Sequence, residues 1–296
     1  MKKVLVTGCS GLIGREICQQ LVSTGRYHIV GVDNNSKYSE FVPAGCSFNQ
    51  LDIRQFVDQN NNDFDIIYHM AAINGTDHFY KDPNKVLQTN ISIDHAVFRF
   101  AKQNNKTKII YGSSSEVVSD TNNFPTKEER NINIINIHNP RWSYRLAKIQ
   151  SENYLVNSNL RYLIVRFFNI YSENSSNGHF VYDVVNKLKN QNYNIYGSNE
   201  TRSFCYVNDA VNAVLAVSNT DKEIINIGSD EELTILEAAT IIKNSLNLGN
   251  VDWILENSLP GSCLRRKPDL EKLRLHCPDF CPEKFKDVMQ RIIGKM

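Results

Sequence analysis

The 296-residue sequence has almost no net charge, since 33 basic against 32 acidic residues leave a formal +1. Without a broad positive field, nothing holds a nucleic-acid backbone or an acidic membrane surface, and any anion must be bound by a local site. Nor does any stretch approach the roughly 18 consecutive apolar residues of a membrane span. The N-terminal MKKVLVTG starts with two lysines and an apolar run, but glycine and polar residues break the run before a secretory core can form. Cysteine occurs seven times, an odd number scattered over positions 9, 18, 46, 205, 263, 277 and 281, which excludes the disulfide framework of a small secreted domain. Reduced thiols and a cytoplasmic location are expected. Cys277 and Cys281 are the closest pair, yet no second pair or histidine set accompanies them, so no metal site is expected. There is no internal repeat.

What is present is an ordinary globular composition, 41% hydrophobic and 22% charged, in a chain long enough for one large body with a modest appendage. Short apolar runs recur at Lys3–Val6, Ile29–Val32, Ile66–Tyr68, Ile109–Tyr111, Tyr162–Phe168 and Ile224–Ile227. Runs of this near-continuous kind suit strands buried on both faces of a parallel sheet. Between them, Leu12–Ser23, Val86–Gln103 and Tyr144–Val156 carry apolar residues at helical spacing. After Asn169 the pattern breaks into short mixed elements with turn signals at Gly178, Gly197, Pro260 and Gly261. The polar segment Asn122–Pro140 reads as a long loop between a strand and a helix. The expected fold is therefore α/β, a doubly wound parallel sheet with a smaller α/β C-terminal part that covers substrate.

Residues TGCSGLIG place Gly8, Gly11 and Gly14 directly after the first strand and at the opening of a helix. Glycine lets the backbone turn tightly and approach a pyrophosphate, and the helix N-terminus offers unpaired N–H groups and positive potential. Asp33 ends the next strand about 20 residues on, where a carboxylate hydrogen-bonds the adenosine ribose. An acid there repels the extra phosphate of NADP, so NAD is the expected cofactor. Asp52 and Ile53, after the third strand, suit the adenine by hydrogen bond and packing. Asp52 as a simple loop acid is the alternative.

In RWSYRLAKIQSE, Tyr144 and Lys148 are four apart, so a helix places both on one face. An ammonium near a phenol favours the phenolate and lowers its pKa from about 10, which makes Tyr144 a base near neutral pH. It then takes the proton of a substrate hydroxyl while the same carbon gives up hydride. Such a pair occurs often by chance. Here it accompanies the glycine turn and a hydroxyl cluster, Ser113, Ser114 and Ser115, at a strand's carboxyl end, where open parallel sheets form their sites.

These residues resemble the extended short-chain dehydrogenase/reductase family, in its branch of NAD-dependent nucleotide-sugar epimerases, dehydratases and decarboxylases. The likeness runs through TGCSGLIG, Asp33 with Asn34, Leu51–Ile53, His69–Ala72, Asn90, SSSEV from Ser113 and NPRWSYRLAK from Asn139. It continues through VRFFNIYS from Val165, Ile195–Gly197, TRSFCYVND from Thr201, Asn226–Ser229 and RRKPDLEK from Arg265. The resemblance implies a seven-stranded Rossmann body at 1–168, to which 203–230 returns, and a nucleotide-sugar-binding part made of 169–202 and 231–296. It implies that Gly8, Gly11, Leu12, Ile13, Gly14, Asp33, Asn34, Asp52, Ile53, Met70, Ala71, Ala72, Asn90 and Ser113 contact NAD with Tyr144 and Lys148. Ser114, Tyr144 and Lys148 become the catalytic triad. Ser115, Asn169, Tyr196, Arg202 and Arg266 become contacts of a nucleotide-diphosphate sugar, with Asn169 and Arg202 on the diphosphate and Tyr196 near the base. A homodimer is implied as well.

Oxidation of the sugar at C4 gives a ketone, after which re-reduction, loss of water or loss of carbon dioxide can follow. Glu116, two residues after the catalytic serine, resembles decarboxylases and some dehydratases, whereas plain 4-epimerases tend to carry a small residue there. A glutamate can give or accept a proton at the C5 side. Arg266 is similar to the decarboxylase arginine that faces the substrate carboxylate. The expected reaction is therefore decarboxylation of the UDP-glucuronate type, with 4-epimerisation or 4,6-dehydration as alternatives. A simple carbonyl reductase and a non-catalytic dinucleotide-sensing protein are the rivals. The chain departs from the family at Val118 and Ser119, and in the turn Gly197-Ser198-Asn199-Glu200 that precedes Arg202.

Overall fold

The computed structural model describes residues 1–36, 43–118, 124–129, 137–249 and 251–296, so much of the loop expected at Asn122–Pro140, and Ser119, lie outside the described residues. The N-terminal half contains β1 (Lys2–Thr7), β2 (Tyr27–Asp33), β3 (Ser47–Gln50), β4 (Ile66–His69), β5 (Lys108–Ser114) and β6 (Arg161–Phe167). Helices α1 (Leu12–Thr24), α2 (Ile53–Gln59), α3 (Thr76–Lys81), α4 (Pro83–Ala101) and α5 (Trp142–Val156) are interspersed. The later strands are β7 (Ile170–Tyr171), β8 (Asn194–Tyr196), β9 (Thr201–Ser203), β10 (Cys205–Tyr206), β11 (Glu223–Ile227), β12 (Glu232–Thr234), β13 (Ile254–Glu256) and β14 (Arg265–Arg266). With them run α6 (Phe180–Lys189), α7 (Val207–Ala216), α8 (Ile235–Ser245), α9 (Glu271–His276) and α10 (Phe285–Ile292).

Seven strands form one sheet in the order β11-β6-β5-β4-β1-β2-β3, and every pairing in it is parallel. The period of two along each strand separates two cores. Val4 and Val6, Ile66 and Tyr68, and Leu163 and Val165 join one apolar cluster with Ile17, Leu21 and Val214. Leu5, Ile67, Ile109, Tyr111 and Ile164 join the other with Phe56, Val97, Phe100 and Leu155. Alternate side chains thus feed opposite faces, and helices cover both, as a doubly wound sheet requires. On α4 the buried Val86, Asn90, Ile93, Val97 and Phe100 follow helical spacing, and Asp82 caps its start by accepting from Lys85 N at 3.1 Å. β3 is the edge strand, and its half-exposed Ser-Phe-Asn-Gln composition explains why no apolar run announced it.

Chain order reverses between β1 and β4, which opens a crevice beyond their carboxyl ends. The glycine turn sits in that crevice. Gly8 has φ +68°, and a Cβ on it would lie 2.7 Å from Ala71 N in the segment after β4. One on Gly14 would lie 2.1 Å from Gly8 O, so the first turn of α1 packs directly on the preceding backbone.

Residues after Asn169 supply three small sheets, β10-β7, β12-β9-β14 and β13-β8. Among the described residues no helix is long and apolar enough to cross a membrane. All seven cysteines are free, and the described residues hold no cluster suited to a metal ion.

Replacing Gly14 with alanine forces a methyl group into the Gly8 carbonyl, and we expect it to destabilise the protein by about 1–3 kcal/mol, as overpacking does. Urea denaturation measures this, and an unchanged midpoint with an unchanged slope would show that the turn is not close-packed.

Candidate active site

A cleft of about 750 Å³ runs from the glycine turn across the carboxyl ends of β1, β4 and β5 to the small sheets. Gly8, Gly11, Leu12, Ile13 and Gly14 line one end, joined by Met70 and Ala72. Gly11 is the N-cap of α1 and has no side-chain capping bond, which leaves the helix N-terminus open to an anion. Asp33, at the tip of β2, accepts from Ser10 N at 3.1 Å and Asn35 N at 2.8 Å, so its carboxylate is fixed beside the turn. Asn34 is exposed next to it. A cradle that any Cβ would fill, with a fixed carboxylate at the next strand tip, fits a dinucleotide.

Several sequence-predicted residues do not line this cleft. Asn90 is fully buried, with Oδ1 accepting from Ile73 N at 2.8 Å and Nδ2 donating to Ile73 O at 3.0 Å. It therefore holds the segment after β4. Ala71 donates its N–H to Thr7 Oγ1 at 3.3 Å. Asp52 caps α2 through Arg54 N and forms a two-pronged pair with the Arg54 guanidinium at 2.8 and 2.6 Å. Ile53 is buried in the core.

The centre of the cleft holds Ser113, Ser114, Ser115, Glu116 and Tyr144. Tyr144 is 4% exposed and stacks on Phe79 of α3 with centroids 5.0 Å apart. Lys148, one turn along α5, has Nζ 5.9 Å from the Tyr144 ring centroid and 4.4 Å from that of Tyr111, and it donates to Gly112 O at 2.8 Å. Behind it lies a buried polar network. Asp94 Oδ2 accepts from Tyr111 OH at 2.6 Å and Ser151 Oγ at 2.7 Å, and Asp94 Oδ1 lies 2.9 Å from His69 Nε2. Burial pushes the Lys148 ammonium down, and the carboxylates of Asp94 and Glu152 oppose that push. The Ser113 hydroxyl donates to Glu152 at 2.5 Å, so Ser114 is the serine that reaches the phenol.

One expectation fails in the protein alone. Tyr144 is not made acidic: burial pushes the phenol well above its ordinary range, more than the Ser114 hydrogen bond lowers it, and the charges of Glu116 and Asp94 add to the rise. The ammonium of Lys148 is turned onto Gly112 O and cannot by itself offset desolvation of the phenolate.

Glu116 is held between two arginines. Arg141 Nη2 donates to Oε1 at 2.6 Å, and Arg266 Nη2 lies 2.9 Å from the same oxygen. Burial alone would raise this carboxyl, but Arg141 and Arg266 outweigh it and hold it well below the usual carboxylate range. Glu116 is therefore ionised at neutral pH, which removes the donor half of its expected role. Arg266 is 7% exposed; its Nη2 has Glu116 at ion-pair distance but not in hydrogen-bond geometry, and its Nε has no acceptor among the described residues. Sequence reading did not single out Arg141. The signal was its place three residues before Tyr144, on the same helical face.

Beyond the serines, Asn169 adopts φ +44° and donates Nδ2 to Ser203 O at 2.9 Å. Tyr196 stands 42% exposed at the rim. Arg202 lines the cleft but is engaged with protein: Nη1 donates to Thr201 O and Cys263 O, and Nη2 to Glu200 Oε2 at 2.6 Å and Ser262 Oγ at 2.9 Å.

In cofactor-free protein, ultraviolet titration of wild type minus Tyr144→Phe should show no phenolate from Tyr144 below about pH 10, where an ordinary phenol ionises. Ionisation near neutrality would mean that Lys148 dominates after all.

Residues 4–228 match the NAD-dependent epimerase/dehydratase family. A UDP-N-acetyl-α-D-glucosaminuronate decarboxylase of Bacillus cytotoxicus is 30% identical, with 93% of this chain and 92% of that protein covered. UDP-glucuronic acid decarboxylase 1 of Xenopus tropicalis is 27% identical over 93% of this chain and 67% of its own length. Among solved structures, the UDP-glucose 4-epimerase of Thermotoga maritima with UDP-glucose superposes with a TM-score of 0.86 at 21% identity, covering 99% of this chain and 98% of that one. At that identity the likeness establishes the fold. The cradle at the switch point, the Ser-Tyr-Lys cluster beside it and a match over most of the length agree, and the chain belongs to the NAD-dependent epimerase/dehydratase family.

Proposed function

We propose that this protein decarboxylates a nucleoside-diphosphate hexuronate, a UDP-glucuronate-like substrate, through transient oxidation at C4. One observation carries the reading: two buried guanidiniums, Arg141 and Arg266, line the cleft and share a single carboxylate, Glu116, at 2.6 and 2.9 Å, so that one positive charge there is left without a carboxylate of its own. A buried excess of positive charge is costly, and a substrate carboxylate is the partner that would offset it. The 30% identical relative is itself named as a decarboxylase of a UDP-hexuronate.

NAD, held by the glycine turn and Asp33, would supply the hydride acceptor for C4. Tyr144, hydrogen-bonded to Ser114, takes the proton of the C4 hydroxyl as a phenolate, a form that the positive charge of oxidised nicotinamide would favour together with Lys148 where Lys148 alone does not. With a ketone at C4 the substrate is a β-keto acid: the C5–C6 bond breaks as carbon dioxide leaves, its electron pair passes into the C4–C5 enolate, C5 then takes up a proton, and the hydride would return to C4 while Tyr144 returns the proton to its oxygen, giving the UDP-pentose. Arg266 and Arg141 orient the carboxylate, while the ionised Glu116 keeps both guanidiniums fixed. In this reading Gly8, Gly11, Gly14, Leu12, Ile13, Met70, Ala72 and Asp33 contact the cofactor. Asn90, Ala71, Ile53 and Asp52 shape its site through backbone and packing, and Asn169, Ser115 and Tyr196 face the nucleotide sugar.

The same reading assigns 1–168 with 203–230 to the cofactor-binding body, and 169–202 with 231–296 to the substrate-binding part, with the sheet β10-β7 joining the two. A homodimer working in the cytoplasm completes the proposal, and seven free thiols agree with a reducing compartment.

Incubation with UDP-glucuronate and UDP-N-acetylglucosaminuronate, followed by NMR and carbon dioxide capture, should yield a UDP-pentose and stoichiometric gas. Formation of the C4 epimer without gas would replace decarboxylation by 4-epimerisation. Arg266→Gln should lower kcat/KM for the uronate on the order of a hundredfold, the effect of removing one partner of a buried charge pair. Bound NAD should be retained.

A further inference from the structure

The two arginines of the substrate arm are in opposite states. Arg266 shares the Glu116 carboxylate with Arg141 and has no acceptor for its Nε among the described residues, whereas all four terminal N–H positions of Arg202 point at protein oxygens. Three of those acceptors are neutral: the carbonyls of Thr201 and Cys263 and the hydroxyl of Ser262. The fourth is the carboxylate of Glu200, 2.6 Å from Nη2 and also accepting from Ser262 Oγ at 2.5 Å. Glu200 and Arg202 are both more than nine-tenths buried, and both line the cleft.

A diphosphate arriving at this arm meets a guanidinium whose charge is already neutralised and a carboxylate of its own sign beside it. It must take the place of that carboxylate on Nη2 or bind elsewhere. The backbone of Glu200 is fixed, since its N–H donates to Gly197 O at 2.9 Å and its carbonyl accepts from Ile235 N at 2.8 Å. Only the side chain can leave. It folds over the turn at Gly197, where a Cβ would lie 2.7 Å from Glu200 Cδ, so a bare glycine gives the carboxylate its seat.

We propose that Glu200 is a built-in counter-anion for Arg202 that the diphosphate of the substrate displaces, and so a residue that sets affinity for nucleoside diphosphates. The inference rests on the nucleotide-sugar reading above. Burial disfavours the Arg202 cation, as its lowered pKa reflects, and a resident carboxylate keeps the guanidinium charged and oriented until an exchange of anions occurs. The exchange opposes binding, because one charge-assisted hydrogen bond is broken for each one made.

The test measures binding of UDP, GDP and uridine to the NAD-loaded protein and to its Glu200→Gln and Glu200→Ala variants, with thermal melting to confirm folding. Glutamine keeps the length of the side chain and an acceptor oxygen for Arg202 and Ser262 but removes the competing charge. The Kd for the preferred diphosphate should fall about tenfold in Glu200→Gln, or about 1.4 kcal/mol, and fall again in Glu200→Ala, while the Kd for uridine stays constant. Equal or weaker diphosphate binding by folded variants, with wild type binding normally, would make the pair a structural clamp on residues 262–263 and overturn the proposal alone. Failure of wild type and variants alike to bind any nucleoside diphosphate would overturn the nucleotide-sugar reading together with it.

Discussion

Everything in this molecule depends on how closely two backbones meet where the sheet reverses its order. Gly8 touches the segment after β4 and Gly14 rests on the Gly8 carbonyl, and a single methyl group at either would collide with backbone. That contact sets the open N-terminus of α1 over the crevice and brings the end of β4 beside it. The carboxyl end of β5 continues the same rim, and α5 crosses it with Tyr144 and Lys148. The cofactor cradle and the proposed acid-base group are thus two consequences of one packing constraint.

Electrostatics inside the cleft follow from the absence of a global field. With a formal charge of +1 for the chain, the anions of the substrate meet local cations, each of which the protein must keep charged while buried. It does so with carboxylates: Glu116 for Arg141 and Arg266, Glu200 for Arg202, Asp94 and Glu152 for Lys148. Glu152 also holds Arg166 at 2.6 Å deeper in the body. Arg141 and Arg266 share one carboxylate, and the proposed carboxylate-bearing sugar would offset the remaining positive charge.

Much of this was legible in the sequence, for identifiable reasons. Apolar runs gave six of the seven strands because parallel strands buried on both faces are continuous in hydrophobicity, and β3 escaped because an edge strand of Ser-Phe-Asn-Gln is not. The glycine turn and the tyrosine-lysine helix were readable because their chemistry demands fixed spacing. What could not be read were relations between distant segments. Phe79 under Tyr144, Asn90 pinned to Ile73 and Asp94 behind Lys148 depend on which faces pack together. The phenol was expected to be acidified because a helical spacing shows proximity, and it cannot show that Lys148 turns toward Gly112 or how far Tyr144 is buried. Arg202 was expected to be available to phosphate, and only the folded turn at Gly197 reveals its resident partner.

The central claim is that Tyr144 starts catalysis by removing the proton of a carbinol whose hydride passes to NAD. Rapid mixing of the NAD-loaded protein with UDP-glucuronate, followed by near-ultraviolet absorbance, tests it most directly. Wild type should show reduced nicotinamide rising and then decaying as product forms, and in Tyr144→Phe, with NAD still bound, the rise should be slower by about 10² to 10⁴. An undiminished rise in that variant would contradict the account.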